Sequence, residues 1–79
     1  MSVEAKLKAA MGAVLGIDPA SIDERTSTDT VEGWDSLKHM QLIIAIEESC
    51  GIVLPDEEVT TLTSYKLLKL VVEEQLAKR

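Results

Sequence analysis

Apolar residues recur at helical spacing in three long stretches of the chain, and no stretch shows the apolar–polar alternation of a half-buried strand. The first pattern predicts a helix over residues 2–15, after which Gly16 is a typical stop. The second predicts a helix from residue 36 up to Gly51, and the third predicts one over about residues 65–77. The pattern therefore predicts a predominantly helical chain.

A shorter helix is predicted between the second and third long ones. It starts after Pro55, with Asp56 as its cap and Glu57 and Glu58 in its first turn, and runs to about residue 61. Thr63-Ser64 then caps the last helix. We predict an all-α fold, a small four-helix bundle of three longer helices and one short one, in a single domain over residues 1–79.

Residues 17–35 form a long first loop. Asp18 and Pro19 predict a short helical turn, and Ile22 is expected to reach the core. The acidic residues of the loop suggest a calcium site, but their spacing does not match an EF-hand and no glycine stands at the sharp turn. We therefore expect a solvated acidic loop, whose acids are Asp18, Asp23, Glu24, Asp29 and Glu32.

The second helix is apolar around most of its circumference. At about 100° per residue, one face is assigned to the core and contains His39, Leu42, Ile43, Ile46 and Cys50. The other apolar face contains Leu37, Met40 and Ile44. Complete burial of a central helix is difficult in so short a chain, so we interpret this second face as a docking surface. The alternative is that its residues are ordinary core.

The start of this helix is a candidate attachment site. Asp35 is a good N-cap, and Ser36 then occupies the first helical position, exposed at the positive end of the helix dipole. A hydroxyl at that place suits a phosphate ester, because helix N-termini favour anionic oxygens. Trp34 either packs as a hydrophobic staple at the helix entry or borders the path of an attached group, and we favour packing.

The composition narrows the function classes. A net charge of −6 argues against nucleic acid as a partner, because phosphate backbones bind Lys and Arg, and favours partners with basic patches. One Cys and one His make neither a disulfide nor a zinc site. No apolar run is long enough to cross a bilayer and no signal peptide is recognised. We expect a cytoplasmic monomer that does not insert into membranes.

Three motifs follow one another over residues 35–58: Asp35-Ser36-Leu37 opening an apolar helix that ends in Ile46-Glu47-Glu48, then Gly51-Ile52, then Leu54-Pro55-Asp56-Glu57-Glu58. With them the chain resembles the acyl carrier protein family and the related thiolation domains that carry aminoacyl and peptidyl groups. The resemblance spans nearly the whole chain, including the long first loop.

The resemblance implies a non-catalytic carrier. Ser36 would be esterified with 4′-phosphopantetheine, which a separate phosphopantetheinyl transferase takes from coenzyme A, and the thiol of this arm would hold cargo as a thioester. A loading ligase and downstream synthase enzymes would then be partners. The residues expected to contact partners are Asp35, Leu37, Met40, Ile44, Glu47 and Glu48.

The chain departs from primary fatty-acid carriers, in which the motif usually continues with an acid. Here Lys38, His39 and Gln41 replace much of the negative face, which implies a specialised, free-standing carrier. Its cargo stays open among fatty acyl, polyketide and aminoacyl groups. Cys50 stands where the family often has phenylalanine, and we hypothesise that the smaller, buried thiol leaves room for cargo inside the bundle.

Two other functions are considered. Asp35, Ser36 and His39 are spaced for a hydrolase constellation, but His39 falls toward the core face and the chain is too small for a substrate pocket, so we do not favour it. The second is an unmodified helical interaction domain that binds one partner through the exposed apolar face.

Overall fold

A computed structural model describes residues 2–78, in which four α-helices and one 3₁₀ turn are formed. The bounds are α1 (Val3–Leu15), the 3₁₀ turn (Pro19–Ser21), α2 (Ser36–Cys50), α3 (Asp56–Val59) and α4 (Tyr65–Ala77). The described residues form no strand, and a single β-bridge joins Ser27 to Ser64. The predicted all-α bundle of three longer helices and one short one is confirmed.

The ends of the long helices follow local signals. The Ser2 hydroxyl accepts a hydrogen bond from Ala5 N over 3.1 Å, so Ser2 is the cap and α1 begins one residue later than predicted. Gly16 and Gly51 end α1 and α2 in the left-handed conformation, with φ of 69° and 66°. Both predicted stops are confirmed, and both depend on the absence of a side chain.

The short helix α3 differs from its prediction at both ends. Pro55 is the cap residue and no side chain caps the helix, so Asp56 is the first helical residue rather than the cap. The helix ends at Val59 rather than near residue 61, because the chain continues in three-residue turns, with Thr61 N donating to Glu58 O over 2.9 Å. Ser64 caps α4 as predicted by accepting from Leu67 N.

One core joins the helices, and α1 packs chiefly against α2. Met11 of α1 is completely buried. Leu67 of α4 is 40% exposed although it is apolar. The members of the core with at most 2% exposure are Leu7, Met11, Ile22, Leu42, Ile46, Leu54, Leu62, Leu68 and Val72.

The first loop is held to the bundle by its backbone. Tyr65 N donates to Thr26 O and Thr28 N donates to Thr63 O, over 2.9 and 3.0 Å, so the loop runs along the start of α4. At its other end, a Cβ on Gly12 would lie 2.7 Å from Pro19 Cγ, so the missing side chain lets the 3₁₀ turn pack against α1. Within residues 2–78 there is no cluster of three or more acidic, His or Cys side chains suited to a metal ion.

No helix within residues 2–78 combines the length and apolar character needed to cross a bilayer.

Candidate functional site

Ser36 is the first residue of α2 and is exposed to solvent. The carboxylate of Asp35 accepts a hydrogen bond from Lys38 N over 2.9 Å, so the predicted cap is confirmed. The cap satisfies one of the free N–H groups of the first turn, and the 15-residue helix directs the positive end of its dipole toward Ser36. An accessible hydroxyl at this end fits a covalently bound phosphate.

Trp34 and His39 form the entry to α2. Trp34 precedes the cap residue Asp35, and His39 is the fourth residue of the helix, which are the two positions of a hydrophobic staple. Their rings stack with centroids 6.0 Å apart. Trp34 is 5% exposed. Trp34 therefore packs at the helix entry as predicted, and it also lines the cleft beside Ser36.

The hydrogen bonds of His39 fix its tautomer. Trp34 Nε1, which can only donate, lies 3.0 Å from His39 Nδ1, so Nδ1 is the acceptor. His39 Nε2 then carries the proton and donates to the backbone oxygen of Val59 over 2.6 Å. Because both ring nitrogens are engaged away from Ser36, His39 cannot serve as its base, and the hydrolase arrangement does not form.

An open cleft of about 450 Å³ lies beside Ser36, between α2 and the segment that follows α3. Its lining residues include the aromatic rings of Trp34 and His39 and three threonines. No pattern in the sequence pointed to these threonines, because they come from the first loop and from the connection after α3. The lining residues are Thr28, Trp34, Asp35, Ser36, His39, Met40, Val59, Thr60 and Thr63.

The second apolar face of α2 is exposed. Leu37 is 67% exposed, and Met40 and Ile44 are each 53% exposed, so these three residues are not ordinary core. The assigned core face is confirmed, since Leu42, Ile43, Ile46 and Cys50 are all buried. The exposed face starts beside Ser36 and extends for two turns along the helix. Its role in partner binding remains a prediction.

The two acids near the end of α2 differ in environment. Glu48 is exposed, whereas Glu47 is half-buried and its Oε2 accepts a hydrogen bond from Leu54 N over 2.8 Å. Glu47 thus holds the segment between α2 and α3 against α2, a role that the sequence did not reveal because the two residues are not in one helix. The first turn of α2 contains no acidic residue.

A second cleft of about 650 Å³ lies under the first loop, between Leu15 at the end of α1 and Gly33. Cys50 lines neither cleft and is 7% exposed. Burial raises the pKa of its thiol, and the charge of Lys6 partly opposes that rise. The predicted buried thiol is confirmed, and the hypothesis of a cargo cavity beside it remains a prediction.

Comparison with known proteins assigns a family to this site. Residues 5–70 match the family model described as "Phosphopantetheine attachment site". The fold is similar to the solution NMR structure of holo acyl carrier protein from Geobacter metallireducens, with a TM-score of 0.84 and 28% sequence identity. That alignment covers 99% of this chain and 90% of the other.

Proposed function

This chain belongs to the phosphopantetheine-attachment family and has the fold of an acyl carrier protein, and we propose that Ser36 carries its 4′-phosphopantetheine arm. The observation that carries the proposal is the position of Ser36: exposed, capped by Asp35, at the positive end of a long helix and at the rim of an open cleft. The matched residues 5–70 include this serine.

The residues present fit such an arm. The bond that forms joins Ser36 Oγ to the phosphorus next to the pantetheine group, the diphosphate bond of coenzyme A breaks, and adenosine 3′,5′-bisphosphate leaves. The hydroxyl proton passes to a base of the transferase, because His39 is engaged elsewhere. When attached, the arm supplies a terminal thiol that holds cargo as a thioester.

The exposed face of α2 is proposed as the docking surface for partner enzymes. Leu37, Met40 and Ile44 provide apolar contact next to Ser36, and apolar residues that become buried on docking give most of the affinity. Asp35 and Glu48 at the two ends orient a basic partner. Glu47 contributes charge to the same side while it holds Leu54 N.

The partners follow from this chemistry. A phosphopantetheinyl transferase attaches the arm, a ligase or acyltransferase loads the thiol, and synthase enzymes of fatty-acid, polyketide or other specialised biosynthesis use the cargo. An amino acid loaded by a dedicated ligase is the alternative cargo. Since the transferase needs coenzyme A, we place the carrier in the cytoplasm, as a monomer without catalytic activity.

The test is the intact mass of the protein after incubation with coenzyme A, Mg²⁺ and a broad-specificity phosphopantetheinyl transferase. We expect a gain of one phosphopantetheine, which Ser36→Ala abolishes and Ser49→Ala, an exposed serine at the other end of α2, retains. The absence of any gain on the folded protein with several transferases would overturn the proposal.

The exposed apolar face also supports a second function, that of an unmodified interaction domain. In that case Ser36→Ala would leave partner binding unchanged, while Leu37→Ala and Ile44→Ala would each abolish it. The mass measurement separates the two functions, because only a carrier gains the arm.

A further inference from the structure

Three residues that line the cleft beside Ser36 are buried or half-buried, and we call them the cleft wall: Trp34, His39 and Val59. Trp34 and Val59 are 5% and 7% exposed and belong to the hydrophobic core. The hydrogen bond from His39 Nε2 to Val59 O joins α2 to α3 through this wall. The wall therefore separates the attachment site from the interior of the bundle.

A long alkyl chain on the arm would gain free energy by leaving water, and the interior of the bundle is the apolar volume next to the cleft. To enter there, the chain would have to break the hydrogen bonds that His39 makes with Trp34 and Val59. Each broken bond leaves a polar group unpaired in apolar surroundings, which is costly. Leu42, Ile46 and Leu54, which belong to the same core as Trp34 and Val59, have at most 1% exposure, as in a closely packed interior.

The cleft itself suits a small occupant that combines an apolar part with a polar group. Its volume of about 450 Å³ is in the range that holds one drug-sized molecule, and Ser36 is among its lining residues. Thr28, Thr60 and Thr63 are among its lining residues, and within residues 2–78 their side-chain hydroxyls, unlike their backbone groups, form no hydrogen bond. They are available to the amides of the arm and to a polar group on the cargo.

We propose that this carrier takes short acyl groups with a hydrogen-bonding substituent near the thioester, such as hydroxyacyl or aminoacyl groups, and holds them in the cleft. His39 is the positioning residue that keeps the wall closed and long alkyl chains out. This inference rests on the proposed attachment at Ser36. It opposes the hypothesis that cargo enters the bundle beside Cys50.

The first test compares four cargoes on the wild-type arm: acetyl, butyryl, 3-hydroxybutyryl and octanoyl, each transferred from its coenzyme A thioester and verified by intact mass. We expect the thermal midpoint with octanoyl to lie within about 2 °C of that with acetyl. Butyryl and 3-hydroxybutyryl differ only in the hydroxyl, and we expect the hydroxyl to add NMR shifts at Thr28, Thr60 and Thr63. A midpoint that rises by roughly 4 °C or more with octanoyl, with shifts at Ile46 and Leu68, would overturn the proposal.

The second test opens the wall. His39→Leu removes both hydrogen bonds, whereas His39→Gln keeps an N–H donor on a side chain of similar length. We expect the thermal midpoint of the octanoyl form of His39→Leu to lie roughly 4 °C or more above that of its acetyl form. In His39→Gln, as in the wild type, we expect the two forms to have midpoints within about 2 °C of each other. Equal responses of the two variants would contradict the role of His39. If His39→Leu does not fold, the wild-type comparison decides alone.

The cargo question can also be answered without a transferase. Ser36→Cys combined with Cys50→Ala leaves one exposed thiol, which maleimides with a short or a long alkyl tail alkylate at the position of the arm. We expect the same thermal midpoint for both tails. A stabilising long tail would overturn the inference while leaving the attachment proposal unaffected. A missing mass gain with coenzyme A would instead overturn the attachment proposal, and the inference with it.

Discussion

Trp34 Nε1 donates a hydrogen bond to His39 Nδ1 over 3.0 Å, and this contact determines which ring nitrogen of His39 accepts and which donates. Because the indole can only donate, Nδ1 of the imidazole is the acceptor, and Nε2 donates a hydrogen bond to Val59 O. Trp34, which precedes the cap of α2, is thereby connected through His39 to Val59, the last residue of α3. The site beside Ser36 is held together by this chain of contacts.

We expect Trp34→Phe to lower the free energy of unfolding by about 1–2 kcal/mol, because phenylalanine retains a ring but loses the N–H and some volume. Urea unfolding followed by circular dichroism measures the change. Val53→Ala is the control, since Val53 is 79% exposed and its truncation should change stability by less than about 0.5 kcal/mol. Equal stability of Trp34→Phe and the wild type would show that the hydrogen bond contributes nothing.

Two substitutions of Asp35 separate capping from recognition. Asp35→Ala removes the acceptor for Lys38 N and should cost about 1 kcal/mol, whereas Asp35→Asn caps equally well and should cost almost nothing. Both remove the charge beside Ser36. If that charge orients the transferase, kcat/KM for arm attachment falls in both variants. A fall only in Asp35→Ala would assign Asp35 to structure alone.

Glu47 and Glu48 are adjacent but should respond differently to truncation. Glu47→Ala leaves the half-buried Leu54 N without its charged acceptor and should destabilise the fold by about 1.5–3 kcal/mol. Glu48→Ala removes an exposed side chain and should change stability by less than about 0.5 kcal/mol. Chemical unfolding of both variants checks this. Similar stabilities would mean that the Glu47 contact is not formed in solution.

The sequence was sufficient where the cause of the structure is local. The stops at Gly16 and Gly51 and the caps by Asp35 and Ser64 each depend on residues within one turn, and all four are confirmed. The exposure of the Leu37 face followed from the size of the chain.

The sequence was insufficient where the cause is a contact between distant residues. His39 was assigned to the core face, but its acceptor Val59 lies 20 residues further along the chain. The periodicity of α4 does not show how much of its apolar surface the rest of the bundle covers, and Leu67 is 40% exposed whereas Leu68 is completely buried. The cap of α3 was misassigned because Asp56 looks like a cap residue, whereas Pro55 occupies that place in extended conformation.

The ion pair between Glu4 of α1 and Lys69 of α4 predicts a pH dependence. A hydrogen bond from Lys69, reinforced by its charge, lowers the pKa of Glu4 below its ordinary value of 4.5. The same pair raises the pKa of Lys69 above its ordinary value of 10.5. The stabilisation from Glu4 is therefore complete above pH 4.5 and is lost as the pH falls through the lowered pKa. The stabilisation from Lys69 is complete below pH 10.5 and is lost as the pH rises through the raised pKa of Lys69.

Unfolding of Glu4→Gln and the wild type as a function of pH checks this. The difference in stability should be constant near neutral pH and should close at both extremes. It should also shrink at high salt, because the pair is partly exposed. A difference that does not change with pH would assign the effect of the variant to packing rather than to charge.

We predict that Lys38, in the first turn of α2, influences which partners dock beside Ser36. The first turn of the helix has no acid, so a transferase with a basic docking patch meets a positive charge next to Ser36. We expect Lys38→Asp to raise kcat/KM for arm attachment roughly three- to ten-fold at low salt, because opposite charges speed association. The gain should largely disappear at about 0.5 M salt, where the charges are screened.

The matched control is Lys66→Asp, which makes the same change of charge at an exposed position of α4. If docking uses the front of α2, this variant changes kcat/KM by less than about two-fold, since only charges near the contact steer it strongly. An equal gain in both variants would indicate a general effect of net charge. No gain from Lys38→Asp would mean that the transferase approaches Ser36 from another side, and Leu37, Met40 and Ile44 would then have to be assigned to a different partner.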